Sequence, residues 1–204
     1  MTITEHVTGL ILAGGRGSRM GHVDKGLQRF RNSTMVAHVL RRLVPQVKRV
    51  VINANQNLDA YGVFGTPVWP DDIQGFEGPL AGLETGLRRC TTDFLVTVPC
   101  DSPFFPTDLV ARLHIALMEG HADLALAVTD EVNDDGTVRI QPQPVFALMK
   151  TELLPVLSAY LELGGRRMDG WYKDIKVIAV RFDDASAFRN INTLGDLQKY
   201  EVEA

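Results

Sequence analysis

Residues 8–25 read Thr-Gly-Leu-Ile-Leu-Ala-Gly-Gly-Arg-Gly-Ser-Arg-Met-Gly-His-Val-Asp-Lys, an apolar run that passes directly into a glycine-rich, basic loop. No other feature narrows the possible folds as much. Residues 8–13 are apolar without alternation, which predicts a strand buried on both faces, as in a parallel sheet covered by helices. Glycines permit left-handed backbone and close approach of a ligand. Successive N–H groups in such a loop can form a nest for anions, and Arg16, Arg19 and Lys25 add positive charge. Together these features suit a triphosphate. Glycines 15, 17 and 21 give G-x-G-x-x-x-G, one residue longer than the dinucleotide fingerprint, and no G-K-[S/T] closes the loop as in a P-loop. A surface loop with scattered basic residues is the plain alternative.

The rest of the chain alternates in the same manner. Residues 35–43 place Met35, Val36, Val39, Leu40 and Leu43 on one helical face. Residues 49–53 (RVVIN) form the next strand, and Val68-Trp69 a short one. Pro79 opens a helix through Leu80, Leu83 and Leu87, with proline at its favoured early position. Residues 94–98 (FLVTV) are a buried strand ending at Pro99-Cys100-Asp101. Thr107 is expected to cap a helix through Leu109, Leu113 and Leu117 that closes at Gly120. Residues 124–128 form another strand, 130–136 a polar loop, and 145–149 return to apolar character. Helix is expected over 152–163, strand over 176–182 and a final helix over 194–200.

This order predicts an α/β fold, a three-layer Rossmann-like domain around a mostly parallel central sheet. At 204 residues the chain suits one domain with one core. Ligands of such sheets bind at the carboxyl ends of the strands, where the loops over 14–25, 53–57 and 99–106 all fall.

Composition excludes other classes. A net charge of −4 supplies no global basic field for nucleic acid, so phosphate binding must be local. No segment is apolar for long enough to span a bilayer. The first nine residues contain Glu5 and His6 and lack the secretory pattern, so a cytoplasmic location is expected. Cys90 and Cys100 are then expected as thiols rather than a disulfide. No Cys/His cluster has zinc spacing.

Several side chains are candidates for chemistry. Asp101 follows a buried strand and could hold Mg²⁺, a cation that prefers oxygen ligands, or could cap a turn. Asn53 and Asn55 could bond a base or ribose, or stabilise a turn. Asp71 and Asp72 could bind or cap. The small residues of Gly78-Pro79-Leu80-Ala81-Gly82 suit either a planar ligand or a tight helix–sheet contact. Asn190 and Asn192, if extended, share one face. His38 and His114 sit within helices and suit surface or packing roles rather than catalysis.

In combination these stretches are specific. Leu12-Ala13-Gly14-Gly15 with Arg19-Met20-Gly21 and Asp24-Lys25, then GPLAG at 78–82 and PCDSP at 99–103, resemble the molybdenum cofactor guanylyltransferase family. Gln143-Pro144-Val145, Gly165-Arg166-Arg167-Met168 and Asn190-Ile191-Asn192-Thr193 continue the match in order along nearly the whole chain. The family often has Thr-Pro where this chain has Thr193-Leu194. The resemblance implies transfer of GMP from GTP to the phosphate of molybdopterin, with Mg²⁺ and release of pyrophosphate. It implies a GTP site mainly within 8–105, built by Leu12, Ala13, Gly14, Gly15, Lys25, Asn53, Asp71 and Asp101. Arg19, Lys25 and Asp101 would act in catalysis, with Asp101 as metal ligand. The second substrate would lie mainly over 106–204, near Gln143, Arg166, Arg167, Asn190 and Asn192. Transient contacts with cofactor-biosynthesis proteins and molybdoenzyme chaperones are implied, and none with membrane or nucleic acid. Two alternatives remain. One is a related enzyme with another base or acceptor, although cytidylyl relatives tend to read Leu-Ala-Ala-Gly and sugar enzymes usually place Pro before the motif lysine. The other is a non-catalytic GTP-binding protein.

Overall fold

In a computed structural model, the described residues are 3–13, 24–73, 78–133, 135–192 and 195–196. All six residues of β1 (Val7–Leu12) are buried, as an uninterrupted apolar run requires. A small hairpin follows, β2 (Arg29–Phe30) with β3 (Ser33–Thr34). It leads into α1 (Met35–Leu43), which buries the five apolar residues of its predicted face. Then come β4 (Arg49–Asn53), α2 (Leu58–Gly62), β5 (Val68–Trp69) and α3 (Pro79–Arg89). β6 (Phe94–Pro99), α4 (Leu109–Glu119), β7 (Leu124–Val132), β8 (Val138–Lys150), α5 (Leu154–Glu162) and β9 (Val177–Phe182) complete the order.

Seven strands form one sheet in the order β5-β4-β1-β6-β8-β7-β9. β5, β4, β1 and β6 are mutually parallel, β8 runs antiparallel to both β6 and β7, and β9 is parallel to β7. The two faces carry separate cores. Val7 and Ile11 of β1 pack with Val39 and Leu43 of α1 and with Leu113 and Leu117 of α4. Leu10 and Leu12 pack with Leu83 and Leu87 of α3 and Leu157 and Leu161 of α5. Fully burying one such side chain contributes about 1.5–3 kcal/mol, which is why period 2 in β1 and period 3.6 in the helices dictate which face each residue takes.

Three local expectations are corrected. The N-cap of α4 is Asp108 rather than Thr107, and no side chain caps that end. The loop expected over 130–136 is shorter, because β7 continues to Val132 and pairs with β8. Helix expected from 152 begins as a 3₁₀ turn, with α5 starting at Leu154 after Thr151–Leu153. Of the helix expected over 194–200, only 195–196 lie within the described residues. Cys90 and Cys100 are free thiols. Among the described residues no helix is long and apolar enough to cross a membrane.

Candidate active site

Strand register sets the floor of the site. Leu12 lies beside Asn53 on one side and Pro99 on the other, and Asn53 lies beside Trp69. Four parallel strands therefore end in one row. The Cys100 N–H donates to the Leu12 carbonyl at 3.1 Å, and the Ala13 N–H donates to the Asn53 carbonyl at 2.8 Å. These bonds tie the exit of β1 to both neighbours. Gly14, Gly15 and Arg19 lie outside the described residues.

Lys25 is where distant parts of the chain meet. Its Nζ donates to Asp101 Oδ2 at 3.1 Å and to Asn192 Oδ1 at 2.6 Å. Both side chains of the ion pair are largely withdrawn from water, with 26% exposure for Lys25 and 11% for Asp101. Screening is weaker there than at the surface. The Asp101 loop is held from its other side by the C-terminal segment. The Ile191 N–H donates to the Asp101 carbonyl at 2.8 Å, and the buried Ser102 hydroxyl donates to Asn190 Oδ1 at 2.5 Å. Ile191 is buried with Phe30 and Met35, which anchors this segment.

A second polar group forms at the ends of β4 and β5. Asn53 Nδ2 donates to the Trp69 carbonyl at 3.0 Å and to Asp71 Oδ1 at 2.8 Å. Asn55 Nδ2 donates to Asp71 Oδ2 at 2.7 Å, and the Asp71 N–H returns a bond to Asn55 Oδ1 at 2.8 Å. Asp72 is turned away, in an ion pair with Arg89, and its N–H donates to Thr85 Oγ1 at 2.8 Å. Of the two readings of the GPLAG stretch, Gly82 takes the packing one. A Cβ there would overlap Asn53 Oδ1 and lie 3.0 Å from Leu12 Cδ2. Gly78 has φ +125°, a conformation suited to glycine, at the entry to α3.

The later candidates have local partners. Gln143 Nε2 donates to Thr129 Oγ1 at 3.1 Å. Arg166 donates to the Leu161 carbonyl at 3.1 Å and the Gly165 carbonyl at 2.6 Å. Arg167 pairs with Asp169 at 2.8 Å. These bonds do not link them to Lys25 or Asp101, whereas Asn190 and Asn192 join that group. Nothing in the local sequence singles out Tyr61, which is wholly buried beneath Lys25's neighbour Asp24. Its five-residue helix is too short to show a period. The one available signal is the Asp-Lys-Gly run at 24–26, an acceptor and a glycine flanking a lysine.

Two buried acidic groups lie near the site, Cys100 and Tyr61. Burial pushes the Cys100 thiol well above its ordinary range, helped by the negative charges of Asp101 and Asp24. Burial likewise raises the Tyr61 hydroxyl. A divalent cation fits the donor set at Asp101. Oδ2 is engaged by Lys25, and Oδ1 has no hydrogen-bond partner among the described residues. No group of three His, Cys, Asp or Glu gathers among those residues. Such an ion would therefore take its other ligands from substrate phosphates and water, the habit of Mg²⁺ in phosphoryl-transfer sites.

A lysine and a carboxylate pair at the carboxyl edge of parallel strands, where ligands of such sheets bind, and residues 9–175 match the model of the MobA-like NTP transferase domain. The class so defined is that of the nucleotidyltransferases. A molybdenum cofactor guanylyltransferase of Ralstonia nicotianae is 54% identical, covering 98% of both chains. One from Bordetella petrii is 54% identical over 95% of this chain and 96% of its own. The chain belongs to the MobA-like NTP transferase family, among the molybdenum cofactor guanylyltransferases. Molybdopterin-guanine dinucleotide biosynthesis protein A from Archaeoglobus fulgidus has the same fold, with TM-score 0.75 at 20% identity over 96% of this chain and 97% of that one.

Proposed function

We propose that this enzyme transfers GMP from GTP to the phosphate of molybdopterin, forming the molybdenum guanine dinucleotide cofactor and releasing pyrophosphate. The observation that carries the reading is the Lys25 ammonium shared by Asp101 and Asn192 at the strand ends, in a chain whose relatives are guanylyltransferases.

Residues 8–105 would bind GTP, with Leu12, Ala13, Gly14 and Gly15 along the nucleotide, and Asn53 and Asp71 completing its site. Lys25 would hold phosphate oxygens as a point charge, and Arg19 would follow charge onto the leaving pyrophosphate with its planar fork. Asp101 would hold Mg²⁺, which would supply charge neutralisation at the phosphates. The attacking phosphate oxygen forms its bond to the α-phosphorus as the bond to pyrophosphate breaks in line. That nucleophile is already an anion, so no general base is required. Residues 106–204 would receive molybdopterin through Gln143, Arg166, Arg167, Asn190 and Asn192. Asn192 would stand at the junction of the two substrates, because it already bonds Lys25. The reaction would run in the cytoplasm, with transient contacts to cofactor-biosynthesis proteins and molybdoenzyme chaperones.

The test is pyrophosphate release in the presence of molybdopterin, comparing GTP, CTP and ATP. GTP is expected to dominate. Preference for another nucleotide would point to a related nucleotidyltransferase, and GTP binding without pyrophosphate release would leave a non-catalytic binder.

A further inference from the structure

Asp24, the residue before Lys25, is an acceptor filled by three donors. Its Oδ1 takes the Gly26 N–H at 3.2 Å and the Tyr61 hydroxyl at 2.5 Å, and its Oδ2 takes the Asn57 amide at 3.0 Å. Two of the three arrive from α2 and its first flanking residue. Tyr61 is the one buried residue of that helix. Asn57 has φ +52°, a left-handed conformation uncommon outside glycine, and its side chain reaches Asp24. Gly26 completes the fit. A Cβ there would collide with the Tyr61 hydroxyl oxygen and lie 3.2 Å from Cζ. Residues 24–26 thus divide the work: Asp24 anchors, Lys25 projects to Asp101 and Asn192, and Gly26 leaves room for the tyrosine.

The chemistry explains why a carboxylate needs so many partners here. An Asp⁻ one residue from a phosphate-binding lysine would compete with Asp101 for the ammonium and repel a triphosphate. Hydrogen bonds to an ionised acceptor are the strong ones, and three of them spread its charge. The Tyr61 hydroxyl stays protonated and able to donate, because burial and the nearby Cys100 and Asp24 oppose its ionisation.

We propose that Tyr61 and Asn57 are positioning residues for Lys25, acting through Asp24. The proposal rests on Lys25 contacting the nucleotide. Its test is GTP affinity, measured with Mg²⁺ on the full chain by displacement of a fluorescent GTP analogue, beside the thermal unfolding midpoint. Tyr61→Phe is expected to weaken GTP binding about tenfold, the scale of losing one charge-assisted bond, and Asn57→Gly by several-fold. Asn57→Gly removes only an exposed amide and keeps left-handed freedom, so it decides the matter if Tyr61→Phe folds poorly. In a Lys25→Ala background neither change is expected to weaken binding further. Equal losses with and without Lys25 would mean a general effect on the fold and overturn the proposal. Wild-type affinity in both single variants, with Lys25→Ala still impaired, would also overturn it while leaving the nucleotide role of Lys25 intact. Wild-type affinity in Lys25→Ala would remove both.

Discussion

Gly82→Ala tests whether α3 is shaped around Asn53. In an exposed helix interior the change stabilises by about 1 kcal/mol, because glycine loses more backbone entropy. Here the new methyl would overlap Asn53 Oδ1 and stand 2.6 Å from its Cγ. Asn53 cannot yield cheaply, since Nδ2 is bonded to Asp71 and to the Trp69 carbonyl. Rotating it away sacrifices both bonds, about 1 kcal/mol for the neutral one and about 1.5–3 kcal/mol for the one to the carboxylate. Subtracting the helix gain leaves a net destabilisation of about 1.5–3 kcal/mol. Urea unfolding measures it as a lower midpoint at unchanged slope. In an Asn53→Ala background Oδ1 and Cγ are gone, and only the 3.0 Å approach to Leu12 Cδ2 remains. Gly82→Ala is then expected to be neutral or stabilising, a reversal of sign that the double-mutant cycle reads directly. The same loss in both backgrounds would refute the account. Gly86→Ala is the comparison, because its methyl would meet Leu10 Cδ2 at 2.5 Å, the end of a side chain with no hydrogen bonds to lose.

Asp101→Asn is nearly isosteric and should fold, yet pyrophosphate release should fall on the order of 10²-fold, the scale for removing one major electrostatic stabiliser; wild-type turnover at ordinary Mg²⁺ would remove Asp101 from the chemistry. Gly14→Ala should lower the ratio of kcat/KM for GTP over CTP if the glycine admits guanine to the backbone, since a site built for a polar edge rejects a base that leaves its groups unpaired; an unchanged ratio with both activities reduced would confine Gly14 to the turn. A hydrogen bond from Lys150, then the Lys176 N–H, depresses the Asp123 carboxyl below its ordinary 3.8. A depressed acid stabilises the fold above its unfolded value and loses that contribution as pH falls through the folded one. Asp123→Asn should therefore be less stable than wild type at neutral pH, with the gap closing below pH 3.8; a gap that persists into strong acid would refute the linkage.

Local pattern was enough wherever one element decides its own fate. The unbroken apolar run of β1, the five-residue stripe of α1 and the β-branched run of β4 each have one arrangement that buries them, and the structure adopts it. Asp101 could be placed at the sheet's ligand edge for the same reason, since parallel strands connected through helices end together. What local pattern could not contain is which strand lies beside which. β8 carries Pro142 and Pro144 and runs antiparallel between β6 and β7, an insertion chosen by the packing of the whole sheet. Nor could it bring Lys25 to Asp101, 76 residues away, and to Asn192, 167 away. It left Tyr61 unmarked, because a tyrosine in a one-turn helix acquires meaning only when β4 and β5 hold that helix under Asp24. Residue types and periods determined the elements; the pairing of charges in a partly dry site, where screening is weak, exists only once the sheet has closed its register.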